Sequence, residues 1–233
     1  MTVLPQMFFG PNGSPLSRPE DIIEFLGKKE LHWKPDRSAY QTAYSWFLAK
    51  GLPDSIKDIL KTDSAFEGAV LPRAVFEKKT KIDSFGRESQ TDVLAFVKAG
   101  AKLAVLGVEA KVDESFGPLV QEWNDYGSNR LRRLVGLLDR LEFGSMPIGR
   151  LRYQLFHRTA ATLIEASNAG ASEAALVVQS FDQNRAGFED FIAFADAFGT
   201  PISAPGKLSQ SKRLGDVNIR LGWTENPIYS AGN

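Results

Sequence analysis

The chain has 233 residues, with 28 basic and 28 acidic side chains and a formal net charge of zero. No global field draws it to nucleic acid or to an anionic membrane, so any such partner must be met by a local patch. With no cysteine and two histidines, disulfides, thiolate metal centres and a cysteine nucleophile are excluded, and a histidine-rich zinc site has too few ligands.

A chain of this size buries one good core, and a single α/β domain is expected. The expected division is an N-terminal helical extension over 1–65, a core over 66–182 and a C-terminal helix with strands over 183–233. Residues 1–10 lack a basic stretch followed by a long apolar run, and no run is long enough to cross a membrane. The expectation is a cytoplasmic protein with no membrane partner.

In chain order, residues 6–9 predict a short strand, ended by the Pro-Asn-Gly-Ser-Pro cluster at 11–15. Ser17-x-x-Glu20 reads as a capping box that starts a helix running to about Gly27. A second box, Ser38-x-x-Gln41, opens a helix through Lys50 whose apolar side includes Tyr44, Phe47 and Leu48; Gly51 stops it, and Pro53 begins a helical stretch to Leu60. Residues 70–79 alternate as a strand.

Two apolar runs then meet at Gly100-Ala101. Glycine at the first central position suits a type II′ hairpin turn, which matches the twist of its strands. Opposed residues must then have numbers summing to a constant, which sets Asp92 against Glu109 and Gln90 against Lys111. Period-two alternation puts Asp92, Glu109 and Lys111 on one face. Val93, Ala95 and Val97 alternate with Leu94 and Phe96, and Ala104, Leu106 and Val108 with Leu103 and Val105, so both faces are apolar and covered by helices. Two carboxylates facing each other at the end of such a hairpin need a cation, and Lys111 supplies one charge.

Beyond Gly117-Pro118, residues 130–141 carry leucines at helical spacing, 148–169 read as a long helix closed by Gly170, 174–181 as a buried strand and 188–198 as a helix. A final strand or hairpin spans 207–223.

Asp92 followed by Glu109-Ala110-Lys111 on the next strand resembles the PD-(D/E)xK nuclease superfamily, and the order helix, three meandering strands, helix, strand is the αβββαβ core of its restriction-endonuclease-like fold. The proline that names the motif is replaced by Gln90-Thr91. The resemblance implies Mg²⁺ (or Mn²⁺) held by Asp92, Glu109 and the Ala110 carbonyl, with Lys111 orienting the attacking water. It also implies polar residues on the following helix, for which Gln154 and Arg158 are the matches. Residues 107–118 (GVEAKVDESFGP) and 151–159 (LRYQLFHRT) also resemble a bacterial family of unknown function.

Glu77 is a candidate third carboxylate, weighed against a solvated edge shared with Lys78, Lys79 and Lys81. His157 is read as a structural hydrogen-bonding residue. Between Ser128 and Arg158 seven arginines against Asp139 and Glu142 leave a net charge of +5, suited to phosphate but spread over more than one helix face. Lys207, Lys212 and Arg213 form a smaller basic stretch, and Trp33, Trp46, Trp123 and Trp223 are read as packing residues. No nucleophile elbow, phosphate loop or dinucleotide fingerprint is present.

The expectation is a metal-dependent phosphodiesterase, a nuclease acting on DNA. The alternatives are a non-catalytic nuclease-like module that binds a protein or nucleic acid, and a hydrolase of small phosphate esters or nucleotides. A protein partner or a homodimer stays open.

Overall fold

A computed structural model describes residues 6–182 and 184–230; the readings made above of residues 1–5, 183 and 231–233 lie outside the described residues. Among the described residues, seven strands form one mixed sheet: β1 (Phe8–Phe9), β2 (Val70–Thr80), β3 (Ser89–Ala99), β4 (Lys102–Lys111), β5 (Glu173–Ser180), β6 (Lys212–Leu214) and β7 (Val217–Glu225), in the spatial order β1-β2-β3-β4-β5-β7-β6. β2, β3 and β4 are an antiparallel meander, and β4, β5 and β7 run parallel. Each parallel step requires a crossover. Helices supply both: α5 (Tyr153–Asn168) between β4 and β5, and α6 (Phe188–Phe198) between β5 and β7.

The sheet is covered on both faces. Val93, Ala95, Val97, Leu106 and Val108 pack with Trp46 of α1 (Ser38–Ala49) and Ile56 of α2 (Asp54–Leu60). Leu94, Val105, Leu176 and Val178 pack with Phe156 of α5, Phe191 and Phe194 of α6, and Leu137 of α4 (Ser128–Arg140). Apolar alternation on both faces of β3 and β4 is thus matched by a helical layer on each side.

The hairpin has the expected register, from Ala99↔Lys102 to Val93↔Val108. Gly100 takes φ +60° and Ala101 is not left-handed, as the turn type requires. Past Val93↔Val108 the strands separate, so Asp92 and Glu109, expected to be directly opposed, are not partners in the ladder. The Ala110 amide, instead of joining a backbone ladder, donates to Asp92 Oδ2 at 2.7 Å. Gln90 therefore does not face Lys111; it pairs with Lys79 of β2, while Lys111 pairs with Ser180 of β5.

Four other expectations are corrected. Residues 17–27 form a 3-10 turn over Pro19–Phe25, not an α-helix, and the capping acid is Asp21, which accepts the Ser17 and Arg18 amides at 2.7 and 3.1 Å. Glu20 instead accepts the Tyr44 hydroxyl at 2.7 Å. On α1 the buried face carries Tyr40, Ala43 and Trp46, and Leu48 is 57% exposed. Gln41 closes no capping box, because its amide nitrogen donates to the Pro35 and Tyr229 carbonyls. The helix expected from residue 148 begins at Tyr153: the carbonyls of Gly149 and Leu151 accept the amides of Gln121 and Val120, which holds this stretch as a turn beside the short helix α3 (Val120–Trp123).

α5 approaches β4 closely because Gly107 has no side chain. A Cβ there would lie 2.0 Å from Thr162 Oγ1 and 3.1 Å from Thr162 Cβ. At the other edge, Glu165 of α5 accepts the Thr80 hydroxyl at 2.6 Å and pairs with Lys78 at 3.4 Å. These contacts lay the first turns of α5 over the ends of β3 and β4.

Candidate active site at the ends of β3 and β4

Glu109 and Lys111 project from β4 toward α5, and Gln154 and Arg158, one turn apart on α5, project back. Glu109 is 3% exposed and both its oxygens are engaged. Oε1 accepts from Lys111 Nζ at 2.9 Å and from Gln154 Nε2 at 2.6 Å, and Oε2 accepts from Arg158 Nε. Gln154 Oε1 in turn accepts from Lys111 Nζ at 3.2 Å. The four residues expected on β4 and α5 are thus brought together.

The electrostatics follow from two buried cations serving one of three carboxylates. Burial alone would raise the Glu109 pKa, but the charges of Arg158 and Lys111 outweigh it and hold the carboxyl at about 2. The same pairing raises the Arg158 pKa against the effect of burial. Asp92 goes the other way: burial first, then the Glu109 and Glu77 carboxylates, push it well above the usual range. The Arg158 charge, and after it the Ala110 amide, oppose this without overcoming it. Among the described residues no hydrogen bond reaches Asp92 Oδ1.

Glu77 is drawn into the same cluster rather than lying on a solvated edge. It is 6% exposed, its Oε2 accepts from the Gln90 side chain, and burial pushes it up to about 7. Its φ of +54° is uncommon for a residue with a Cβ within a strand.

The donors that a metal would meet are oxygens: Asp92 Oδ1, Glu109, and the Ala110 carbonyl, which strand geometry places on the same edge as the Ala110 amide that bonds Asp92. No group of three or more His, Cys, Asp or Glu side chains able to hold a metal ion occurs among the described residues.

Ser89 and Gln90 were not singled out as site residues, yet both join the network. Arg158 Nη1 donates to Ser89 Oγ at 3.0 Å, and Ser89 Oγ lies 2.8 Å from His157 Nδ1. Burial, then the Arg158 charge, hold His157 well below its ordinary pKa near 6.5, so the ring is neutral. Ser89 precedes Asp92 by three residues on β3, and only the fold aims it at α5.

The basic segment does not form one surface. Arg133 donates to Tyr153, Asp83 and the Arg87 carbonyl, Arg152 pairs with Asp190 at 2.8 Å, and Arg130 with Asp125 at 3.1 Å. Lys212 donates to the carbonyls of Leu141, Glu142 and Phe198 and is a structural cation. Trp46 and Trp223 are fully buried, and Trp123 stacks on Tyr153.

Fold and site together define an α/β protein with a helix-covered mixed sheet and a buried cluster of carboxylates, lysine and arginine at the ends of two central strands. The chain belongs to the family described as a domain of unknown function (DUF6946), which it matches over residues 15–228. No curated protein and no solved structure matches it. No helix among the described residues is long and apolar enough to cross a membrane.

Proposed function

We propose that the chain is a metal-dependent phosphodiester hydrolase of the PD-(D/E)xK type, a nuclease acting on DNA, on a restriction-endonuclease-like αβββαβ core. The observation that carries this reading is the Asp92 carboxylate, raised in pKa by burial and by two neighbouring carboxylates and left with one oxygen unpartnered beside Glu109-Ala110-Lys111. A hard divalent cation suits that environment, since Mg²⁺ takes one or two protein carboxylates and keeps several waters.

Asp92, Glu109 and the Ala110 carbonyl would hold the Mg²⁺ or Mn²⁺ ion, which supplies Lewis acidity and a more acidic bound water. Lys111, buried and 2.9 Å from Glu109, would orient a nucleophile and offset charge developing on phosphate. Gln154 fixes the rotamers of both Lys111 and Glu109. Arg158 balances Glu109 and ties it to Ser89.

The test is a Mg²⁺ and Mn²⁺ titration by calorimetry, alongside cleavage of plasmid, single-stranded DNA, RNA and a nucleotide ester. Metal-dependent cleavage that disappears in Asp92→Asn is the expected result. Cleavage by Asp92→Asn at the wild-type rate would sink the reading.

A second reading, a non-catalytic module on the same scaffold, is favoured by the complete occupation of both Glu109 oxygens by Lys111, Gln154 and Arg158. Absence of carboxylate-dependent metal binding is its signature. The third, a hydrolase of small phosphate esters or nucleotides, gains from the dispersal of the arginines into local pairs, and the substrate comparison separates it from a nuclease.

A further inference from the structure

Beside the carboxylate cluster lies a cavity of about 380 Å³, lined by the loop 85–88 together with Trp123, Asn129, Arg130, Tyr153 and His157. That volume falls in the range of small-molecule pockets. Its wall is held rigidly. Arg133 spends its nitrogens on the Tyr153 hydroxyl at 2.7 Å, Asp83 at 3.0 Å and the Arg87 carbonyl at 2.8 Å, which fixes the loop against α5. Trp123 and Tyr153 stack with centroids 3.6 Å apart and planes 8° from parallel.

His157 links this cavity to Glu109. Arg158 has no acceptor atom, and its Nη1 lies 3.0 Å from Ser89 Oγ and 3.5 Å from His157 Nδ1. A proton on Nδ1 would point toward the guanidinium, so Nδ1 keeps its lone pair and receives the Ser89 hydroxyl hydrogen. The neutral ring then carries its proton on Nε2. Ser89 and Arg158 engage the Nδ1 edge, His157 lines the cavity, and no described residue accepts from Nε2, which leaves that nitrogen as the one a ligand in the cavity would meet. The chain Glu109–Arg158–Ser89–His157 therefore presents a fixed N–H donor beside an aromatic wall.

We propose that this cavity binds the base of a nucleotide, with His157 Nε2–H donating to a ring nitrogen or carbonyl oxygen of the base and the Trp123–Tyr153 pair forming an aromatic wall. Bases offer such acceptors on their edges and stack on aromatic rings. His157 follows Gln154 by three residues on α5, roughly 4.5 Å along the axis, a spacing that a nucleotide bridges between its base and a phosphate near Lys111. The proposal deepens the phosphodiesterase reading by naming the group bound next to its reacting centre, and it rests on that reading for the placement of the phosphate.

The experiment titrates the full chain, in EDTA, with the four 5′-mononucleotides, a short single-stranded oligonucleotide and inorganic phosphate, by calorimetry and tryptophan fluorescence. The expected result is saturable binding of a mononucleotide or the oligonucleotide that weakens about tenfold in His157→Leu, the loss of one hydrogen bond. His157→Gln, whose amide N–H replaces Nε2–H, should keep most of the affinity, with circular dichroism confirming that both variants fold. Equal affinity in wild type and His157→Leu, no saturable binding of any nucleotide, or phosphate competing as well as the nucleotide would each overturn the proposal. Metal-dependent cleavage without base binding defeats this pocket alone, whereas base binding without cleavage defeats the hydrolase reading alone.

Discussion

Asp92 Oδ2 accepts the backbone N–H of Ala110 at 2.7 Å, so a side chain on β3 ends the ladder that β3 and β4 share. This one bond holds Asp92 against β4 and within reach of the Glu109 and Glu77 fields that disfavour its charge. Asp92→Asn keeps an acceptor for the Ala110 amide and removes a like charge. The variant is expected to melt at pH 8 at a temperature equal to or above that of the wild type while losing metal-dependent cleavage. A thermal melt paired with a cleavage assay reads both, and a clearly lower melting temperature would contradict this account of Asp92.

Glu109→Gln behaves differently, although it is also isosteric. Lys111 and Arg158 are 4% and 8% exposed, and Glu109 is the carboxylate that pairs with both. Leaving two buried cations unpaired costs about 3–5 kcal/mol, so chemical denaturation should show a large loss of stability at pH 7. Because the folded-state pKa of Glu109 is depressed to about 2, its contribution is present above the unfolded value of 4.5 and is lost as pH falls toward about 2. The acid limb of the stability curve should therefore be shallower in Glu109→Gln than in the wild type.

Glu77 carries the opposite sign. Its folded-state pKa is raised from 4.5 to about 7, so its favourable contribution is complete below the unfolded value and is lost as pH rises through about 7. Melting temperatures taken from pH 5 to 8.5 should fall on the order of a few °C across that window in the wild type. Glu77→Gln should flatten this fall; an identical slope in both proteins would refute the role assigned to Glu77.

Gly107 sets the distance between β4 and α5. Gly107→Ala would place a Cβ 2.0 Å from Thr162 Oγ1, an atom already donating to the Arg158 carbonyl at 3.0 Å. The overpacking should cost about 1–3 kcal/mol. Because α5 carries Gln154 and Arg158, it should also reduce any activity that depends on Glu109. Adding Thr162→Ala should recover part of both losses, since it removes the nearest atom; a double-mutant cycle in denaturant measures the coupling.

Much of the hairpin was legible in the chain. A glycine turn and period-two alternation are local, so Gly100-Ala101 with the flanking apolar runs specifies a register before any tertiary contact is known. The order of the central elements was legible for the same reason, because apolar periodicity and glycine stops are local signals. Helix starts were less legible. Asp21 rather than Glu20 takes the Ser17 and Arg18 amides, and Tyr153 begins α5 because residues 149–151 are bonded to residues 120–121 across the surface.

By itself the sequence determined the hairpin register, the two apolar faces of β3 and β4, and the placing of Asp92, Glu109 and Lys111 on one side of the sheet, because strand geometry repeats every two residues. Only the tertiary structure decided what meets them. It brought Gln154 and Arg158 onto Glu109 through the close approach at Gly107, folded Glu77 and Gln90 inward, and joined Ser89 to His157. It also dispersed the arginines of residues 130–158 into separate partners such as Asp83, Asp125 and Asp190. These outcomes depend on which charge reaches which partner across tens of residues, and burial rather than sequence spacing sets the strength of that choice.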